Sequence, residues 1–275
     1  MSIKIGIMQG RLSNSINNTI QAFPEKSWSK EFEIGQRINL NSIEWIFDIY
    51  EKNPIMNNQI TEINNCISKF QIKVNSVCAD YFMINKLFNE SEQNIKKNLE
   101  ILKKLAKNSA KIGTKIIEIP LVDSSSLKTE KDKKELVTNL KKIIPEIKNL
   151  GIIITLETDL EPKEFLNLLE MFDKNTVYAN YDTGNSASLG YDVNEEFKIL
   201  KGKIKNIHIK DRIHNGTTVP FGLGDTNFEE FFKILKKSEY SGDLIMQGAR
   251  IEGINPEQNC LKYQNFVKEY LDKYS

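Results

Sequence analysis

KIKNIHIKDR, residues 203–212, is a run in which apolar and polar residues alternate. Side chains alternate between the two faces of a strand, so its isoleucines share an apolar face after one irregular step. His208 and Lys210 share the opposite face, and Asp211 follows at the carboxyl end. The stretch therefore predicts a buried strand that ends in polar groups. His208 is either a hydrogen-bonded core residue or a group used in chemistry.

Strand-like and helix-like segments alternate along the rest of the chain. Alternating or β-branched runs predict strands, and apolar residues at helical spacing predict helices. The other predicted strands are 1–8, 42–46, 72–78, 115–119, 152–157, 177–181 and 243–247. The predicted helices are 28–38, 60–70, 93–112, 131–150, 162–171, 195–200, 228–237 and 257–273, with a kink or break at Pro145.

This alternation favours parallel β-α units, and eight of them in 275 residues favour a single closed (β/α)8 barrel. No linker rich in proline, glycine or serine divides the chain, so we predict one α/β domain over residues 1–275. The longest irregular segments, 9–27, 80–90, 121–129 and 211–226, each follow a strand. In such a barrel these loops gather at the carboxyl ends of the strands, where active sites of this fold lie.

Composition limits the classes of partner and the cellular compartment that we expect. The chain has 38 Lys and Arg residues against 37 Asp and Glu, a formal net charge of +1, so neither nucleic acid nor an anionic membrane is an expected partner. Cys66, Cys78 and Cys260 form no C-x-x-C pair, which argues against a disulfide framework and a structural zinc site. Neither a signal peptide nor a membrane span is recognisable, and we expect a cytoplasmic protein.

Polar residues recur where the predicted strands end. They are Glu44, Glu157, Asp182, His208 and Gln247. A purely structural barrel interior is filled by branched apolar residues, and buried polar groups are costly unless something pairs with them. A divalent cation held by Glu157, Asp182, His208 and Gln247 explains the set, and a metal-free hydrogen-bonded layer is the alternative. Ligands of mixed nitrogen and oxygen type suit Mn²⁺, Co²⁺, Mg²⁺ or Fe²⁺ and tolerate Zn²⁺.

Seven short motifs carry a resemblance to a known family. In chain order they are GIMQGRL, SIEW, ITLE, YDTGN, IHIKDR, FGLGD and IMQGAR. Together they resemble the sugar phosphate isomerase/epimerase superfamily, the xylose isomerase-like barrels, over almost the whole chain. In the related ketose 3-epimerases, Glu, Asp, His and Glu at the ends of strands five to eight hold a metal. Glu157, Asp182 and His208 match the first three.

The fourth position departs from that pattern, because Gln247 stands where the epimerases carry glutamate. An amide oxygen still binds a metal, but it cannot accept a proton as a general base. Either Glu157 then shuttles a proton alone, which would give aldose–ketose isomerisation, or Lys210 or Asp211 supplies the second group. Binding without turnover is the third possibility.

The resemblance implies an isomerase or epimerase of a sugar or sugar phosphate, which transfers a proton through a metal-stabilised enediolate. A polyol dehydratase and a non-catalytic sugar-binding barrel are the alternatives; an abasic-site endonuclease would need more than two histidines. A small carbohydrate is the expected partner, and a homodimer is an option because such barrels often pair. The candidate substrate-binding residues are Gln9, Arg11, Glu44, Lys210 and Arg250.

Overall fold

The structure, a computed structural model, describes residues 3–16 and 19–274. Eight parallel strands close into a barrel in which each strand pairs with its sequence neighbours and the last pairs with the first. The strands are β1 Lys4–Met8, β2 Ser42–Ile46, β3 Ser76–Cys78, β4 Ile116–Leu121, β5 Ile153–Thr158, β6 Val177–Asp182, β7 Ile204–Ile209 and β8 Asp243–Met246. The predicted (β/α)8 barrel is confirmed.

Helices follow the strands and cover the barrel. They are α1 Trp28–Arg37, α2 Ile60–Phe70, α3 Tyr81–Ile84, α4 Glu92–Lys111, α5 Glu130–Lys141, α6 Ile144–Asn149, α7 Pro162–Glu170, α8 Thr183–Leu189, α9 Val193–Ile199, α10 Phe228–Lys237 and α11 Pro256–Lys273, with a 3-10 turn at Asp123–Ser125. Among the described residues, no helix combines the length and the apolar character that crossing a membrane requires.

Helix α4 shows how the sequence positions these elements. The Ser91 side chain accepts a hydrogen bond from the Asn94 amide at 3.2 Å, which satisfies one of the free N–H groups of the first turn. Leu102 and Leu105 are fully buried against the barrel. Gly113 follows the helix with φ of 84°, a left-handed conformation that glycine adopts without strain, so the predicted stop is confirmed.

The predicted break at Pro145 is confirmed: residues 131–150 form α5 and α6, and Pro145, which has no N–H for a helix interior, lies in the first turn of α6. Two other predicted elements differ from the observed ones. The third strand is three residues long, and before it only a single bridge joins Lys73 to Ser42. The glycines Gly184 and Gly190 predict a turn after the sixth strand, but the residues between them form helix α8. Of the predicted strand 1–8 and the segment 9–27, residues 1, 2, 17 and 18 lie outside the described residues.

The irregular step predicted in the opening stretch is a register shift between β6 and β7. Ala179 pairs with Ile204, but the next residue, Asn180, pairs with Asn206. One extra residue, Lys205, is therefore accommodated in β7 and stays exposed. The shift sets the register in which His208 pairs with Asp182 at the carboxyl end.

Candidate metal centre

Three buried side chains from neighbouring strands converge inside the barrel mouth. Glu157 of β5, Asp182 of β6 and His208 of β7 each place one ligand atom so that all three lie within 4.8 Å of one another. The His208 Nδ1 atom is 3.0 Å from Glu157 Oε2 and 3.9 Å from Asp182 Oδ2. The structure thus brings together three of the four residues predicted to bind a metal.

Glu44 fixes the orientation of the His208 imidazole. Its Oε2 atom is 2.7 Å from His208 Nε2, and its Oε1 atom accepts a hydrogen bond from Asn206 Nδ2 at 2.8 Å. Burial opposes the charged imidazole, but the carboxylates of Glu44 and Glu157 outweigh it and raise the pKa of His208 well above its ordinary value. Glu44 does not line the cavity described below, so it supports His208 and does not occupy its predicted substrate-side position.

Amide side chains and one lysine stabilise the two carboxylates. Glu157 accepts hydrogen bonds from Asn180 Nδ2 and, at 2.6 Å, from Asn185 Nδ2. Burial opposes the charged form of Glu157, but its contact with His208 lowers the pKa on balance. Asp182 Oδ1 accepts the Asn185 backbone N–H at 2.8 Å and thereby caps α8, and Lys210 Nζ lies 3.4 Å from Asp182 Oδ2. Cap formation at Asp182 explains why α8 is a helix.

Gln247 lines the cavity described below and has an unpaired side-chain oxygen. Its Nε2 atom donates a hydrogen bond to Gln21 Oε1 at 2.9 Å, but its buried Oε1 atom has no hydrogen-bond partner in the described part of the chain. A buried acceptor without a partner is uncommon in folded proteins. Two carboxylates, an imidazole and a free amide oxygen fit a divalent cation of the hard or borderline type. The residues present therefore suit the metal that the resemblance implies.

A cavity of about 690 Å³ opens above these residues at the carboxyl ends of the strands. Glu157, His208, Lys210 and Gln247 line it, as does the predicted Arg11. Burial, and repulsion from Arg250, lower the pKa of Arg11 to about 10. The cavity is thus lined by three of the four predicted metal ligands, all but Asp182, and by two of the predicted substrate-binding residues.

Glu118 of β4 also lines this cavity, and the sequence interpretation missed it. It is fully buried, and neither of its carboxylate oxygens has a hydrogen-bond partner among the described residues. Burial, reinforced by the charge of Glu157, raises the pKa of Glu118 well above its ordinary value. The available signal was a lone carboxylate in the apolar strand KIIEI, on the same strand face as Pro120, which pairs with Glu157.

Three other predicted residues hold loops and do not line the cavity. Asp211 is fully buried and accepts backbone N–H bonds from Gly222, Gly224 and Thr226 at 2.8, 2.9 and 3.1 Å. A Cβ atom at Gly224 would overlap the Asp211 carboxylate, which explains the glycine in the FGLGD loop. Both oxygens of Asp211 are therefore already committed to this loop.

Gln9 and Arg250 hold the loop after β1. Gln9 Oε1 accepts the Ile46 backbone N–H at 3.0 Å. Arg250 donates to the backbone oxygens of Ser13 and Gly10 at 2.6 and 2.8 Å. The structure places neither side chain where it would meet a substrate in the cavity.

Comparison with known proteins places this geometry in a family. The model of the family described as xylose isomerase-like TIM barrel matches residues 32–269. The chain belongs to this family. The predicted resemblance to the xylose isomerase-like barrels is therefore confirmed.

The relatives of this xylose isomerase-like barrel include two activities. Inosose dehydratase of Clostridium perfringens is 26% identical over 178 residues, which cover 56% of this chain and 60% of that protein. L-ribulose-5-phosphate 3-epimerase UlaE of Escherichia coli is 24% identical over 222 residues, 76% of each chain. The crystal structure of a D-psicose 3-epimerase shares the fold, with a TM-score of 0.80 at 15% identity over 98% of this chain and 99% of the other. The predicted isomerase or epimerase class agrees with two of these names.

Proposed function

We propose that this xylose isomerase-like barrel is a divalent-metal-dependent isomerase or epimerase that moves a proton next to a sugar carbonyl. The observation that carries the proposal is the buried cluster of Glu157, Asp182 and His208, whose ligand atoms lie within 4.8 Å of one another, with Glu157 and His208 lining a large cavity. Gln247 supplies the fourth ligand through its unpaired oxygen. The Glu, Asp and His positions are those that the family resemblance assigns to the metal.

Glu157 is the proposed base. A proton α to a carbonyl is weakly acidic, so its removal needs an ionised carboxylate beside the substrate and stabilisation of the enediolate that forms. Asn185 donates a hydrogen bond to Glu157 and His208 lies 3.0 Å away, and both contacts favour the ionised form. A divalent cation held by the four ligands would polarise the carbonyl and stabilise the enediolate.

Two groups in the cavity are candidates for the second acid or base. Lys210, predicted from the sequence, lines the cavity beside Asp182. Glu118 lines it too, and burial together with the charge of Glu157 raises its pKa, which favours the form that can donate a proton. Asp211 leaves the proposal because its oxygens accept three backbone hydrogen bonds. Epimerisation requires a second group, whereas aldose–ketose isomerisation can use Glu157 alone.

A polyol dehydratase is the second candidate function, and Glu118 is the observation that favours it. Dehydration begins with the same α-proton removal and then expels a hydroxyl group, which leaves as water if an acid protonates it. A buried carboxyl group in the cavity whose pKa is raised is suited to that role. The relative named inosose dehydratase is consistent with this candidate.

Metal analysis combined with hydrogen exchange tests the proposal. The purified protein is expected to retain about one divalent ion per chain, and the metal-loaded protein is expected to exchange a carbon-bound proton of a ketose, ketose phosphate or inosose with D₂O, detected by NMR. Loss of a hydroxyl group from the product would identify the dehydratase. A protein that binds no divalent ion and exchanges no proton would be a non-catalytic sugar-binding barrel, contrary to the proposal.

The remaining expectations stay predictions. They are a cytoplasmic location, a homodimer, one domain over residues 1–275 and a choice among Mn²⁺, Co²⁺, Mg²⁺, Fe²⁺ and Zn²⁺. Light scattering of the metal-loaded protein tests the dimer directly.

A further inference from the structure

The cationic side chains that line the cavity are already engaged within the described part of the chain. Arg11 donates from Nη1 to the backbone oxygen of Ile20. Lys210 pairs with Asp182, and Arg212 donates to Asn185 Oδ1 and to the backbone oxygen of Gly216, both at 2.8 Å. A phosphate group is bound in proteins mainly by such cations or by free backbone N–H groups. These contacts use part of the donor capacity of the three side chains.

Carboxylates outnumber these cations around the same cavity. Six of them line it, namely Asp48, Asp80, Glu118, Asp123, Glu157 and Asp159, against three arginine and lysine side chains. With these carboxylates ionised, the three cationic side chains and one divalent cation leave a formal charge of −1 around the cavity, which gives a phosphate dianion no net attraction.

Exposed apolar side chains line the mouth of the cavity together with exposed polar ones. Ile20, Ile84 and Leu189 line the cavity and are 49%, 79% and 39% exposed. Only seven large hydrophobic side chains among the described residues are exposed, and three of them line this cavity. Met83 and Val122 extend the same wall. The apolar surface is therefore concentrated where the far end of a bound ligand would lie.

The volume of the cavity favours a ligand larger than one monosaccharide. Sites of about 300–1,000 Å³ hold drug-sized ligands, and this cavity measures about 690 Å³. From the engaged cations, the excess of carboxylates and the apolar mouth, we propose that the substrate is an unphosphorylated sugar with an apolar substituent remote from the reacting carbonyl. This inference rests on the proposed function, which places the reacting carbonyl at the metal-site end of the cavity.

Binding of alkyl β-D-glucosides from methyl to hexyl tests the apolar subsite without requiring turnover. In isothermal titration with the metal-loaded protein, the association constant is expected to rise with chain length, by up to about fourfold for each methylene buried. Leu189→Ser and Ile84→Ser are expected to halve that increment or more. The matched control is Leu223→Ser, which removes an equally large side chain that is 72% exposed and does not line the cavity. It is expected to bind the series as the unchanged protein does.

Inorganic phosphate, and the pair glucose 6-phosphate and methyl glucoside, test whether the cavity disfavours a phosphate group. Inorganic phosphate at millimolar concentration is expected not to compete with hexyl glucoside, and glucose 6-phosphate is expected to bind at least tenfold more weakly than methyl glucoside. Phosphate competition, or tighter binding of the phosphate ester, overturns the inference. So does binding that is absent or independent of alkyl length.

A second copy of the chain is the competing occupant of the apolar mouth. Light scattering of the unchanged protein and of Ile84→Asp distinguishes it, because a dimer that dissociates in the variant would show that the mouth is an interface and would overturn the inference. The outcomes remain separable from failure of the proposed function. If proton exchange fails while affinity still rises with alkyl length, the proposed function is wrong and the apolar subsite stands. If proton exchange occurs but affinity does not depend on alkyl length, the proposed function stands and the apolar subsite is wrong.

Discussion

His208 Nε2 lies 2.7 Å from Glu44 Oε2, and this contact leaves Nδ1 of the ring facing Glu157. Glu44 is the middle residue of β2 and, unlike His208, does not line the cavity. A carboxylate that accepts a hydrogen bond from one ring nitrogen makes the other a better metal ligand. Glu44 is therefore a buried acid whose partner is the candidate metal ligand His208.

Glu44→Gln is expected to weaken binding of Mn²⁺ by about 10- to 100-fold, because the amide no longer fixes the tautomer of His208 as strongly. Competition with a chromogenic chelator measures the change. The control is Glu33→Gln, an exposed glutamate on α1. Equal affinity in Glu44→Gln and the unchanged protein would remove Glu44 from the metal site.

Glu157→Gln is expected to lower the rate of hydrogen exchange by about 10²- to 10⁴-fold or more, because an amide accepts no proton. Circular dichroism is expected to show an unchanged fold. Glu161→Gln provides a matched control, since Glu161 is exposed and lies four residues further along the chain. Exchange retained in Glu157→Gln at the control's rate would exclude Glu157 as the base.

Gln247→Glu is expected to increase affinity for Mn²⁺ by about tenfold or more, since a fourth charged ligand attracts the ion more strongly than an amide dipole. Without metal, the same change places a third carboxylate near Glu157 and Asp182, so the melting temperature of the metal-free protein is expected to fall. Calorimetric titration and thermal melting measure the two effects. An affinity that does not change would show that residue 247 does not bind the ion.

The strand order and the residues at the strand ends could be predicted because both follow from local patterns. Glu157, Asp182 and His208 each close an alternating strand, and a barrel brings such ends together. Asp211 could not be placed, because its partners are backbone N–H groups of a loop whose path is not visible in the spacing. The partners of Gln9 and Arg250 are also backbone groups, which the spacing does not show either.

Glu118 and Glu44 show a different limit. Both are single carboxylates in apolar strands, and the sequence does not distinguish the cavity side from the support side of the imidazole. Only the three-dimensional contacts do so: Glu44 pairs with His208, whereas Glu118 has no hydrogen-bond partner in the described residues. Helix α8 escaped notice because Gly184 and Gly190 indicate a turn, although Asp182 caps a helix there.

Glu196 is expected to make stability depend on pH. Burial raises its pKa to about 7, although Ser186 and, at 2.9 Å, the Tyr181 hydroxyl donate hydrogen bonds to it. The folded state therefore keeps a proton that the unfolded state loses above its ordinary pKa of 4.5. Stability from this group is lost as pH rises from about 4.5 to 7 and levels off above that window.

Glu196→Gln removes this titration. Relative to the unchanged protein, the variant is expected to gain up to about 3 kcal/mol in unfolding free energy between pH 4.5 and pH 8. Urea unfolding at both pH values, with the difference taken between the two proteins, measures it. Parallel pH profiles for the two proteins would show that Glu196 titrates at its ordinary value.

The metal centre is tested most directly by anomalous diffraction from a crystal of the protein grown with Mn²⁺. One strong peak is expected within bonding distance of Glu157, Asp182, His208 Nδ1 and the Gln247 side-chain oxygen. A crystal saturated with Mn²⁺ that shows no peak there, with His208 still paired to Glu157, would contradict the proposed metal centre.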